Sequence, residues 1–305
     1  MRLVDILITP LRAFVGYHQK RQSYLSYVKR KFGSRFANRD CGPMAPRELI
    51  ETEALMQKDD LHKRATPTWY FGSGYNEARA VLSTAEAHGL DLSKLKAVLE
   101  FGCGSARVLR HFRVISGIEL TGTDANPKPI AWNRRHLPGI NFALNALEPP
   151  LPFAEESFDL IYALSVFTHI PLQWQKPWLL ELRRIVRPGG YLLCTVHGSN
   201  YAHQLSEHDR NELGRGGAVT FDANSTRASY SSKVLGSWDV FQSRAEVRDT
   251  FSDVFELLRY TDEPFANGQD VLVLRKRADS ARTGSYWSHI RPASGSTIGA
   301  ATPTS

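Results

Sequence analysis

The run Ala97-Val98-Leu99-Glu100-Phe101-Gly102-Cys103-Gly104-Ser105-Ala106-Arg107 restricts most strongly what this chain can fold into. A short apolar run ends on an acid, a Gly-x-Gly turn follows at once, and Val108, Leu109 and Phe112 then fall at helical spacing. Strand, tight turn and helix in that order bring a ligand against bare backbone at a helix N-terminus. Unpaired N–H groups and the helix dipole favour a polar or anionic partner there. Glycine at 102 and 104 permits approaches that a Cβ forbids. The dinucleotide fingerprint G-x-G-x-x-G is not completed, because Arg107 stands in place of its last glycine. Further on, Leu120-Thr121-Gly122-Thr123-Asp124 reads as a second strand ending in a carboxylate, where an α/β sheet takes both hydroxyls of a ribose. Asp124 is also a competent helix cap in Asp-Ala-Asn-Pro, and the two roles are compatible.

These residues carry a family resemblance. Glu100 to Ala106 resembles the E/D-x-G-x-G-x-G motif of class I S-adenosylmethionine-dependent methyltransferases, with Ala106 where a third glycine is usual. The resemblance continues through Leu147 to Phe153, through Phe158 to His169, and through Glu181 to Gly190, and spans roughly residues 70 to 276. It implies S-adenosyl-L-methionine as cofactor. Glu100 and the turn Gly102-Cys103-Gly104 would hold the methionine part, Asp124 with Ala125 the ribose, and Asn145 with Ala146 the adenine side. Leu147 is the alternative register for Asn145, and Ser165 completes the set. Cys103 reads as a small residue between glycines, with no catalytic role.

A chain of 305 residues fits one large α/β domain with extensions, or at most two domains. Its three cysteines are far apart, show no metal or redox spacing, and suggest a reducing, cytoplasmic compartment. The net charge of +7 is uneven: residues 1 to 40 hold nine Lys/Arg against Asp5 and Asp40, a surplus equal to that of the whole chain. The basic character belongs to an arm, and the body is formally neutral. In the arm Leu3, Ile6, Leu7, Leu11, Phe14 and Val15 fall on one helical stripe, which Pro10 is expected to break or kink. Three readings stay open: a helix packed on the domain, a basic amphipathic segment on an anionic membrane surface, and a transit peptide. The stripe is too short and interrupted to span a membrane, and no cleavage site marks a signal peptide.

Residues 1–68 are expected to form this arm and a polar connector, and residues 69–276 the main domain. Helices are predicted over 75–88 with Gly89 as cap, over 107–112 and over 127–136. Another runs through Leu179, Leu180, Leu182 and Ile185, with Pro177 in its first turn, and stops before Arg187-Pro188-Gly189-Gly190. Strands are predicted over 97–101, 118–123, 141–144, 158–164 and 191–196. Alternation of this kind implies an α/β fold with a doubly wound, mostly parallel sheet. By resemblance the sheet has seven strands and an antiparallel C-terminal strand, supplied by 255–259 and 271–274. Residues 199–242 break the pattern and read as a lid-like insertion; Ser243 and Glu246 form a capping box; the tail over 277–305 has a Ser/Thr/Gly/Ala/Pro composition that cannot bury a core and is expected to be disordered.

Glu100, Gly102, Asp124, Asn145, Ser165 and His197 all fall at predicted strand ends, which is where open α/β sheets bind ligands. Methyl transfer to a hydroxyl or protonated amine needs a base, and His169 and His197 are the candidates. Ala163-Leu164-Ser165-Val166 stands where enzymes acting on nucleic-acid bases carry Asn/Asp-Pro-Pro-aromatic, so no nucleic-acid substrate is expected. The acceptor is expected to be a small molecule methylated on O or N, a saccharide or lipid-linked metabolite among the options. The competing functions are an NAD(P)-dependent oxidoreductase, against which Arg107 counts, and an inactive binding protein of the same fold.

Overall fold

The structure is a computed structural model that describes residues 3–53, 66–228, 238–261 and 263–277, without the side chains of 3–14 and 51–53. The tail from 278 and the arm's apolar stripe up to Phe14 therefore lie outside the described residues or side chains. Five strands run parallel: β1 (Ala97–Phe101), β2 (Glu119–Asp124), β3 (Asn141–Leu144), β4 (Phe158–Ala163) and β5 (Val186–Val196). Two further strands, β8 (Glu256–Thr261) and β9 (Asp270–Arg275), complete a seven-stranded sheet in the order β3-β2-β1-β4-β5-β9-β8. β9 is antiparallel to both neighbours. The expected mostly parallel sheet with an antiparallel strand from the C-terminal part is what the chain forms. Strand order reverses between β1 and β4, and such a reversal opens a crevice beyond the carboxyl ends.

Period-two alternation sorts the sheet residues into two cores. Val98, Leu160 and Leu193 face one side, with α1 (Leu3–Phe32), α3 (Pro67–Ala87) and α4 (Pro127–His136). Leu99, Ile161 and Leu192 face the other, with α5 (Leu172–Ile185) and α7 (Arg244–Ser252). The arm shares the first core: Tyr24, Tyr27, Val28 and Phe32 are buried beside Leu82 and Phe112. The connector holds a short helix, α2 (Arg47–Glu53), whose Leu49 and Ile50 pack on Tyr70.

Several helices depart from expectation. α1 runs unbroken through Pro10. α3 starts at Pro67, eight residues early, because Thr66 is its N-cap and accepts from Trp69 N at 3.3 Å. Gly89 does stop it, at φ +104°. Pro177 lies well inside α5, not in its first turn. An internal proline costs about 3 kcal/mol. Burying Trp178, Leu179, Leu182 and Ile185, at roughly 1.5–3 kcal/mol each, outweighs it. The Pro188-Gly189-Gly190 stop falls inside β5, which begins directly after the helix. Residues 107–112 form turns leading into a 3₁₀ helix, Leu109–Val114, in place of an α-helix.

The insertion has structure of its own: a 3₁₀ helix (Ser199–Gln204), α6 (Glu207–Gly214) and an antiparallel hairpin of β6 (Ala218–Asp222) and β7 (Trp238–Gln242). Asp270, at the start of β9 and 1% exposed, fastens its near end. Its carboxylate accepts from Ser199 N (3.0 Å), Asn200 N (3.1 Å), Asn200 Nδ2 (2.7 Å) and Tyr260 Oη (3.2 Å). Asp270→Ala removes these hydrogen bonds, and a loss of about 2–4 kcal/mol in the urea unfolding free energy is expected.

Candidate active site

The glycine turn leaves β1 with Gly102 at φ +75°, and a Cβ there would lie 2.3 Å from Val166 Cγ2. The turn is clamped on both edges. Gly102 N and Cys103 N both donate to the Thr123 carbonyl (2.8 and 2.9 Å), and Gly104 N donates to Asp124 Oδ2 (2.8 Å). On the carbonyl edge, Asn133 Nδ2 donates to Gly104 O (2.8 Å), Arg110 Nη2 to Ser105 O (2.8 Å) and Arg110 Nε to Ala106 O (3.0 Å). Glu100, 4% exposed, accepts from Leu109 N (3.1 Å) and so organises the turn from beneath.

This corrects the expectation of unpaired amides at a helix N-terminus. Three amides of the turn are bonded inside the protein, and no α-helix follows to add its dipole. What remains is a rigid, nearly side-chain-free backbone surface with two carboxylates beside it.

Asp124 is partly buried at the end of β2, and its Oδ1 accepts from Asn126 N (2.8 Å). Burial pushes its carboxyl above the usual range, against the pull of the Asn126, Gly104 and Ala125 N–H groups. The cap of α4 is Asn126, which accepts from Lys128 N (3.1 Å), so of the two roles open to Asp124 the cap falls to its neighbour. After β3, Asn145 folds back: its Oδ1 accepts from Thr123 Oγ1 (2.7 Å) and its Nδ2 donates to Ala146 O (2.7 Å). Leu144 and Leu147, 46% and 80% exposed, flank it. After β4, Ser165 holds φ +58°, with its N donating to Thr195 Oγ1 (2.8 Å) and its Oγ to Gln269 Oε1 (3.0 Å). Gly102, Cys103, Gly104, Asp124, Ala125, Asn145, Ala146 and Ser165 thus follow the carboxyl ends of four adjacent strands.

His169 and His197 come together beyond β4 and β5, with ring centroids 6.4 Å apart. His197 stacks on Tyr201 (4.5 Å) and meets Phe241 (4.9 Å), and its buried Nδ1 has no hydrogen-bond partner. His169 Nδ1 lies 2.8 Å from Trp238 O and 3.8 Å from Asp239 Oδ1. The insertion hairpin is joined to both segments, since Val240 N donates to Thr168 O (2.9 Å) and Gln242 N to His197 O (3.0 Å).

Four contributors escaped the sequence reading. Arg110 is fully buried, with its guanidinium over the Tyr70 and Trp132 rings (5.0 and 5.6 Å). A charged residue between Leu109 and Phe112 was the available signal. Asn133 left none, being an ordinary polar position of α4. Arg107 pairs in bidentate fashion with Glu77 (2.9 and 2.7 Å) and donates to Ser73 Oγ (2.9 Å), tying α3 to the turn. Gly74 allows that approach, for a Cβ there would lie 2.3 Å from Arg107 O.

Burial depresses His111, His169 and His197, with Arg110 acting further on His111 and His169 on His197. A base with its folded pKa lowered is protonated first in the unfolded chain. Stability is therefore complete above about pH 6.5 and declines as pH falls below it. His197→Phe is expected to flatten that decline between pH 5 and 6.5 by up to one proton, about 1.4 kcal/mol per pH unit, read from urea midpoints.

The family profile described as "Methyltransferase domain" matches residues 99–194, from β1 into β5. A probable phthiotriol/phenolphthiotriol dimycocerosates methyltransferase 2 of Mycobacterium ulcerans is 35% identical over 102 residues, covering 32% of this chain and 37% of that protein. Methyltransferase str3 of Strobilurus tenacellus is 37% identical over 125 residues, covering 40% and 42%. The chain spans less than half the length of these curated relatives. Among solved structures, the amino pentose methyltransferase CalS10 of Micromonospora echinaspora aligns with a TM-score of 0.48 at 17% identity, covering 72% of this chain and 97% of its own. Residues 99–194 thus carry a methyltransferase-domain match, on a sheet formed as the resemblance to class I S-adenosylmethionine-dependent methyltransferases implied.

Proposed function

We propose that this chain transfers a methyl group from S-adenosylmethionine to an oxygen or nitrogen of a small acceptor, a lipid or lipid-linked molecule before a saccharide. The observation that carries the reading is the clamped turn. Its amides are bonded to Thr123 O and Asp124, and carboxylates at Glu100 and Asp124 stand beside it. A pyrophosphate needs free N–H groups and a helix dipole, so this turn suits a dinucleotide poorly. A sulfonium cation beside two carboxylates meets favourable charge at close range. The site fits the cofactor: Gly102 to Gly104 offer the bare surface for its methionine part, Asp124 accepts from the ribose hydroxyls, and Leu144, Asn145 and Leu147 border the adenine side. The cofactor supplies an electrophilic methyl group. The protein holds the acceptor in line and provides a nitrogen of His169 or His197 for its proton.

Two features support a lipid-linked acceptor. Relatives are named for phthiotriol dimycocerosates and, in Gibberella zeae at 25% identity, for a sterol. Lys20, Lys29 and Arg30 are exposed on α1, and their charge would favour contact with an anionic membrane surface. Among the described residues no helix is long and apolar enough to cross a membrane, so this would be a surface contact.

Calorimetry tests the core of the proposal. S-adenosylmethionine and S-adenosylhomocysteine are expected to bind and NAD not to, with Asp124→Ala weakening S-adenosylhomocysteine about tenfold or more. Affinity for NAD alone, or an unchanged Asp124→Ala variant, overturns it. Flotation with vesicles containing phosphatidylserine is expected to fall steeply between low and high salt, and to fall on replacing Lys20, Lys29 and Arg30 with Gln.

A further inference from the structure

We propose that the insertion hairpin makes His169 the proton acceptor of the site, with the Trp238 carbonyl and the Asp239 carboxylate fixing the proton on Nδ1 and leaving the lone pair on Nε2. This rests on reading the two histidines as facing the methyl acceptor. A backbone carbonyl can only accept a hydrogen bond. The nitrogen 2.8 Å from Trp238 O therefore carries the proton, and the other ring nitrogen of the neutral imidazole does not.

Asp239 adds charge to that orientation. It is 3% exposed, its Oδ1 lies 3.8 Å from the same Nδ1, and a carboxylate there favours the imidazolium that forms when Nε2 takes a proton. Burial acts in the opposite direction and is the larger effect, so the ring rests neutral near pH 7 and is ready to accept. Among the described residues, the charged and titratable groups facing it include Asp239 and His197.

His197 lacks this support. Its buried Nδ1 has no partner, its flat faces meet Tyr201 and Phe241, and the imidazole of His169 opposes rather than supports its protonation. The geometry thus separates two candidates that the sequence leaves equal. His169 is the base, and His197 forms a wall that keeps it desolvated.

The register of β7 produces the arrangement. Alternation sets Asp239 and Phe241 on one face of the strand, one against His169 and the other against His197. The register is locked by Val240 N on Thr168 O, by Gln242 N on His197 O, and by a reciprocal amide pair between Gln175 and Gln242 (3.1 and 3.0 Å). In turnover the acceptor's X–H bond breaks and its electron pair stays on X. The proton joins Nε2 and passes later to solvent. Asp239 touches no reacting atom and is a positioning residue.

The test is ring-nitrogen NMR on the full chain labelled with ¹⁵N-histidine, which needs no methyl acceptor. His169 is expected to show the Nδ1–H tautomer, and Asp239→Asn to lower its titration midpoint by about one pH unit while S-adenosylhomocysteine binds as in the wild type. An Nε2–H tautomer in the wild type, or a midpoint unmoved by Asp239→Asn, overturns the proposal. Should the variant misfold by circular dichroism, the wild-type tautomer decides. Wild-type protein that binds no S-adenosylhomocysteine defeats the methyltransferase reading and leaves the tautomer measurement intact, so the two failures are distinguishable.

Discussion

One carbonyl oxygen holds the site together. Thr123 O, near the end of β2, accepts two successive amides from the turn that leaves β1, and the next residue of β2, Asp124, takes a third amide through its side chain. The turn is thereby registered to the neighbouring strand, with little dependence on whatever follows it in the chain. This explains how the chain dispenses with the long helix that usually backs such a turn. Arg110 supplies the backing by donating to two of its carbonyls, and because that guanidinium is fully buried it needs the Tyr70 and Trp132 rings around it. The N-terminal arm closes the stack, with the Tyr24 hydroxyl donating to His111 O (2.9 Å). A helix that looks peripheral in sequence is the rear wall of a turn some eighty residues away.

The opposite side of the crevice is built by different means. The strand order places β4 beside β1 and β5 beside β4, so the segments after them lie next to the turn. Beyond its strand each segment is held to the main sheet by side chains, Ser165 N by Thr195 of β5 and Ser199 N and Asn200 N by Asp270 of β9. The insertion hairpin adds backbone bonds to both. An element that interrupts the β/α alternation is on this view a structural part of the acceptor side, hydrogen-bonded to it by main chain and therefore tolerant of side-chain change except where it meets the histidines.

How much of this the sequence discloses depends on the range of the forces involved. The strands were legible because period-two patterns and apolar runs are local, and β3 and α4 begin and end where their residues predict. Pro177 misled, because the penalty of a proline is local while the burial that overrides it, at Trp178 or Leu182, is tertiary. The α-helix expected after Arg107 fails for a similar reason. Ala106 at φ +56° and the capture of Leu109 N by Glu100 depend on packing that no spacing rule encodes. That the residues proposed for the cofactor side lie together could be read from their strand ends. The Asp239–His169 relation could not, since seventy residues separate the partners and β7 carried no motif.

Charge reconciles the two sides of the crevice. The turn lies between acids, Asp124 and the buried Glu100, and favours positive charge in a ligand seated there. A protonated histidine on the far side would compete for the same field and repel such a ligand across a poorly solvated gap. On the proposed reading, burial that lowers the pKa of His169 and His197 removes this conflict before the acceptor arrives, and the imidazolium would develop only as the ligand's own positive charge is discharged. On this argument the depressed histidines are a requirement of placing a base opposite a cationic donor, and a hairpin that orients one imidazole while sealing the other meets that requirement with side chains it already needs for packing.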